Sequence, residues 1–143
     1  MSIIKLDKVA MVCAVIGTIL VWLPILIMLI TSIIGSISAQ MFLMDYLLPA
    51  EFFFVELIGW VLLVAASLMT QVMKIPVLIT AILTPAALII AMLVASLSGL
   101  TSGAIEAEGF IWMLILGMIG VYDVLVAVMG VLGIKLIVDI HSM

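Results

Sequence analysis

Polar residues interrupt this chain at so few points that it divides into four long apolar runs, at residues 9–36, 52–73, 77–98 and 110–137. Each run reaches the ~20 residues that a helix rising ~1.5 Å per residue needs to cross ~30 Å of hydrocarbon. Lipid offers no water to satisfy peptide groups, so each run is predicted to be helical despite its many valines and isoleucines. Strands of a membrane barrel would be ~10 residues long and alternate apolar with polar, and these runs are apolar throughout. The first run follows a short basic start, as a secretory signal does. It is about twice as long as the apolar core of a cleavable signal, so it is read as a retained span. The predicted architecture is all-α, an integral membrane four-helix bundle in a single transmembrane domain over residues 1–143.

Composition narrows the class further. The mean hydropathy is +1.69, and 69% of residues are hydrophobic while only 8% are charged. Soluble domains carry roughly 25% charged residues, so the solvent of this chain is predicted to be the lipid bilayer. The four spans nearly exhaust the 143 residues and leave no room for a soluble catalytic domain. The single cysteine, Cys13, excludes an internal disulfide and a paired-cysteine redox or zinc motif. No nucleophile–base constellation, glycine-rich phosphate loop or basic patch is visible, so neither an enzyme nor a nucleic-acid binder is expected. The 12 methionines form no clustered array and read as adaptable apolar residues rather than copper ligands. His141 is the one histidine, so a haem has no candidate ligand pair. No cofactor and no metal are expected.

Charge adds orientation. Lys5 and Lys8 precede the first run, Lys74 lies in the second break, Lys135 ends the fourth run, and arginine is absent. Positive residues collect on the cytoplasmic side of short loops. Both termini are therefore expected in the cytoplasm, in a bacterial or archaeal plasma membrane. The second break, Lys74-Ile75-Pro76, predicts a tight antiparallel hairpin of spans 2 and 3. Pro49 suits the first turn of span 2, where its missing N–H costs nothing. Trp60, Trp112 and Tyr46 are expected as interfacial anchors.

Small residues at helical spacing indicate which faces pack, because close backbone approach drives helix association in lipid. Gly17 and Gly35 mark such a face on span 1, and Ala91 marks one on span 3. On span 4, Gly120, Ala127 and Gly130 share a face with Asp123, and Gly117 adds further room. Span 2 differs, with Glu56, Trp60, Leu63, Ser67 and Thr70 along a more polar side. Pro24 and Pro85 interrupt helix hydrogen bonding inside spans 1 and 3. The hydroxyls of Thr80 and Thr84 are expected to compensate the carbonyl that Pro85 leaves free.

Two acids fall inside spans. Asp123 lies near the middle of span 4, where an ionised carboxylate costs at least ~2.5–3.5 kcal/mol on insertion scales. It reads equally as a proton or cation site and as a neutral acid gluing helices through Thr80, Thr84, Ser67 or a backbone carbonyl. Glu56 lies about one turn inside span 2 and is expected to reach towards the headgroups. With Asp45, Glu51, Glu106 and Glu108 it would form an acidic outer face able to concentrate cations. The bland alternative is solvated loop acids and complements to helix dipoles.

These readings give two functional expectations. The first is a structural or accessory membrane subunit, packing as a homo-oligomer or with another integral membrane protein. The second is a small transporter or channel for protons, cations or lipophilic cations, using Asp123 and Glu56.

The segment FLMDYLLPAEFFFVELIGWVLL, from Phe42 to Leu63, resembles a recurrent stretch in small four-span bacterial membrane proteins of unassigned function. The likeness rests on Asp45-Tyr46, the Pro49-Ala50-Glu51 turn and the apolar run after it. It implies no activity. It marks Asp45, Tyr46, Pro49 and Glu51 as more than filler.

Overall fold

The computed structural model describes residues 3–39, 52–100, 102–103 and 109–142. Its elements are four helices: α1 (Ile3–Ala39), α2 (Phe53–Thr70), α3 (Lys74–Leu97) and α4 (Gly109–His141). All four are long and apolar enough to cross a membrane. Most of their large exposed residues are Leu, Ile and Val, the surface expected of a chain whose solvent is hydrocarbon.

The helices form a ring in chain order. α1 lies against α2 and α4, and α3 lies against α4 and α2. Directions follow from the tightest contacts. Gly17 meets Leu63 while Val21 meets Gly59, and Thr18 meets Gly133 while Trp22 meets Gly130. Numbers rise along α1 as they fall along α2 and α4, so α1 is antiparallel to both. The start of α1 and the end of α4 therefore share one end of the bundle. Lys8, Lys74 and Lys135 are exposed towards that end.

Helix boundaries depart from the hydrophobic runs where polar chemistry intervenes. α2 stops at Thr70 rather than at residue 73, because Gln71 turns left-handed with φ 60°. The Gln71 amide Nε2 donates to the Leu68 carbonyl at 2.6 Å, and the Ser67 hydroxyl donates to the Val72 carbonyl at 2.7 Å. Met73 is also left-handed, with φ 50°. The connection is thus Gln71–Met73, and Lys74-Ile75-Pro76 forms the first turn of α3 rather than the loop. Pro76 is tolerated there because the first turn of a helix has unpaired N–H groups in any case. At the other end of α3, Gly99 adopts φ 82°, and the Ser98 N–H donates to the Val94 carbonyl at 3.0 Å. A left-handed glycine just past the last turn is the common way to end a helix.

The threonines inside helices are satisfied locally. Thr18 donates to the Ala14 carbonyl at 2.7 Å, Thr80 to Pro76 at 2.8 Å and Thr84 to Thr80 at 2.7 Å. Each hydroxyl uses the carbonyl one turn back, which makes it compatible with an apolar setting. Thr80 and Thr84 therefore do not compensate the Ala81 carbonyl freed by Pro85, contrary to the sequence expectation.

Candidate functional site

The α1–α2 seam is built on two glycines. A Cβ at Gly17 would stand 2.9 Å from the Gly59 carbonyl oxygen, and one at Gly59 would stand 3.0 Å from the Gly17 carbonyl oxygen. Such backbone-to-backbone approach is open only to glycine here. The α1–α4 seam uses the same device against side chains. A Cβ at Gly130 would lie 2.7 Å from the Trp22 indole, and one at Gly133 would collide with the Thr18 hydroxyl. Ala91 is buried on α3, while Gly35 and Ala127 are half-buried. Gly117 and Gly120 are exposed, and a Cβ at either would meet nothing within 4 Å. The expected face of α4 is thus divided. Gly130 packs inside the chain, and Gly120 does not.

These seams bring the stripe Glu56, Trp60, Leu63 and Ser67 of α2 into the interior, where all four are buried. The polar side of α2 faces the bundle rather than solvent or headgroups. Glu56 is 1% exposed and Trp60 is 2% exposed. Two sequence expectations are corrected by this. Glu56 does not reach outward, and Trp60 is not an interfacial anchor. The cause is the turn of helix between them, which places residues four apart on one face.

Across the bundle, α4 presents Tyr122, which is fully buried. Its phenolic O–H donates to Oε2 of Glu56. This bond links diagonal helices whose direct contact is otherwise slight. The Trp60 ring stands edge-on to Tyr122 at 6.5 Å between centroids and edge-on to Phe53 at 5.8 Å. Quadrupoles of aromatic rings favour such T-shaped pairs. Among the described residues, the Trp60 indole Nε1–H is buried without a hydrogen-bond partner. Buried donors are usually paired, so this one is an exception beside a carboxyl group.

Asp123 follows Tyr122 on α4 but is half-buried, on the flank of the helix. None of the three hydroxyls proposed as its glue partners serves it. Ser67, Thr80 and Thr84 all donate to backbone carbonyls. Asp123 adjoins Tyr122 in the chain, and Tyr122 bonds Glu56. Tyr122 thus links the two acids, and among the described side chains the lysines gather towards the other end of α2. Asp45, Glu51, Glu106 and Glu108, the rest of the proposed acidic face, lie outside the described residues, as do Tyr46 and Pro49. Trp112 is half-buried near the start of α4.

Sequence reasoning missed Tyr122 and Gly59. A phenol far from both ends of an apolar run is the signal for the first, since its O–H needs a partner when buried. Gly59 was overlooked because the neighbouring polar stripe of Glu56, Trp60 and Ser67 drew the reading of span 2. No protein-family profile, curated protein or solved structure matches the chain.

Proposed function

We propose that this protein is a structural or accessory integral membrane subunit that packs with copies of itself or with a larger membrane protein. Its place would be a bacterial or archaeal plasma membrane, with both termini cytoplasmic. The observation that carries the reading is the leftover small-residue surface of α4. The chain closes its own seams with Gly17, Gly59, Gly130 and Gly133, yet Gly117 and Gly120 stay open. Small residues in lipid admit a neighbouring helix at close range. Orientation is supported by the gathering of Lys8, Lys74 and Lys135 towards one end.

The test is a paired substitution, Gly117→Leu with Gly120→Leu, in protein reconstituted into lipid nanodiscs. Helix content and melting should match the parent, while the assembly mass by native mass spectrometry should fall to one chain. A variant that assembles like the parent, or a parent that is monomeric and binds no membrane partner, removes the reading. Reporter fusions at Met1 and Met143 check the orientation, and an external signal from either reverses it.

A second reading, a proton or cation transporter, is favoured by one observation. Glu56 is buried and bonded to Tyr122, whose chain neighbour is Asp123, and intramembrane acids commonly mark proton or ion sites. Proteoliposomes carrying the parent would show ion-dependent proton flux that Glu56→Gln abolishes. A parent without flux counts against this reading and leaves the first intact.

A further inference from the structure

We propose that Glu56, Tyr122 and Trp60 form a proton-binding site inside the bundle, in which loss of the Glu56 proton turns the Trp60 indole N–H onto the carboxylate. The inference rests on neither functional reading above. It starts from three buried polar groups on two helices. Tyr122 donates to Oε2 of Glu56, and the other carboxyl oxygen is where an acid proton would sit. Trp60, one turn along α2, holds a buried N–H with no acceptor among the described residues. A neutral Glu56 accepts the Tyr122 bond and carries no charge to compensate, leaving only its own O–H to place.

The ionised form is not content. An interior carboxylate needs a countercharge or several donors. Among the described side chains no lysine is close by, because Lys8, Lys74 and Lys135 are exposed and gather towards the opposite end of α2. From α4, Tyr122 bonds Glu56 and Asp123 is its chain neighbour, and a second negative charge in the same interior would be unfavourable beside a charged Asp123. The sequence of α1 beyond Cys13 contains no titratable side chain, and that of α3 beyond Lys74 contains none. The spare donor on the same face of α2 is therefore Trp60. When the Glu56 O–H bond breaks, the proton passes to a solvent base. The carboxylate then keeps the Tyr122 bond and gains the indole N–H. The edge-on packing of Trp60 against Phe53 and Tyr122 must loosen for the ring to turn, so proton release is coupled to aromatic packing across the α2–α4 diagonal.

The experiment is a pH titration of the full chain in nanodiscs, labelled with 15N-indole tryptophan, over about pH 5 to 10. Trp60→Phe assigns the Trp60 resonance. The expected result is a single downfield titration of the Trp60 indole proton as pH rises. Glu56→Gln should leave that resonance flat, and Asp123→Asn should retain the titration. A flat Trp60 signal in the parent overturns the proposal, as does a titration that survives Glu56→Gln or disappears with Asp123→Asn. A second measurement needs no variant. Infrared spectra of protein labelled with 13C-carboxyl glutamate should show a protonated-carboxyl band that is lost with the same midpoint as the Trp60 shift. A different midpoint overturns the coupling even if Glu56→Gln fails to fold.

Discussion

Two stretches of α4 use glycine in opposite ways. At Gly130 and Gly133 the missing side chain is occupied by α1, through the Trp22 ring and the Thr18 hydroxyl. At Gly117 and Gly120, roughly three turns away, the same absence opens onto nothing within 4 Å. The two intramembrane acids divide in the same manner. Glu56 is sealed inside the bundle and bonded to Tyr122, whereas Asp123 sits on the flank of α4. Residue type thus says little about role in this chain. What decides it is whether the position falls on the side of the helix that the chain's own neighbours cover.

The sharpest way to break this comparison is to fill the closed positions. Gly133→Leu drives a side chain into Thr18, whose hydroxyl is already held by the Ala14 carbonyl at 2.7 Å. Gly130→Leu drives one into the Trp22 indole. Overpacking of a formed interior costs about 1–3 kcal/mol and sometimes more, and these sites should fall at the upper end. Thermal melting in detergent is the measurement. A melt within a degree or two of the parent's, about the shift of a few tenths of a kcal/mol, would show that α1 and α4 do not meet at these glycines.

Next in size is the contrast between the acids. Glu56→Ala strands the Tyr122 hydroxyl in the interior, and an unsatisfied buried donor costs about 1–3 kcal/mol. Asp123→Ala leaves no such orphan, because no hydroxyl of Ser67, Thr80 or Thr84 is committed to it. Its effect on melting should be smaller, within about 0.5 kcal/mol of the parent, as for positions away from a packed or bonded feature. Equal losses from both would mean that Asp123 is bonded into the bundle after all. The double variant Glu56→Ala with Tyr122→Phe should recover part of the Glu56→Ala loss, since it removes both partners.

The four apolar helices were legible because the hydrocarbon requirement writes itself into every residue of a span. The site was only half legible. Glu56 and Asp123 stand out in any reading, since a carboxyl in an apolar run has no bland excuse. What they touch depends on how far each helix is rotated about its axis. The moment that would report this rotation is weak when nearly every position is apolar. That is why Glu56 was expected towards the headgroups and lies inward, and why Trp60 was mistaken for an anchor. Tyr122 escaped for a related reason. It looks like one more aromatic until α2 is brought across from it. Helix ends were misjudged at Gln71–Met73 because hydropathy continues through residues whose backbone has already turned.

That connection offers a smaller test, with the logic of glycine reversed. Gln71 and Met73 hold left-handed conformations, φ 60° and φ 50°, with side chains in place. Left-handed backbone costs an ordinary residue roughly 1–2 kcal/mol and glycine almost nothing. Gln71 is exposed, so Gln71→Gly should leave stability unchanged or raise it by up to about 1 kcal/mol, less whatever the forfeited amide bond to the Leu68 carbonyl contributes. Met73→Gly relieves the same strain but removes a half-buried side chain packed against the core, so it should fall below Gln71→Gly. A marked loss of stability at Gln71 would show that the turn does not adopt this form.

The smallest effect is expected at the open glycines, and it sharpens the comparison most. Gly120→Ala adds one methyl group to a position with no neighbour within 4 Å. Nothing among the described residues must move to accept it. In helices exposed to water, alanine is favoured over glycine by about 1 kcal/mol. In a membrane span, where the backbone bonds are already shielded from water, the gain should shrink to a few tenths. The melt of Gly120→Ala should accordingly match or slightly exceed the parent's, while Gly133→Ala on the same helix should fall below it. Because both substitutions add the same atom to the same kind of helix, the difference between them isolates what surrounds the glycine. A loss at Gly120 as large as that at Gly133, appearing only at protein concentrations where the parent self-associates, would place a second copy of the chain against α4. The same loss at every concentration would mean that the open flank is covered within the chain itself, and the division between closed and open glycines would fail.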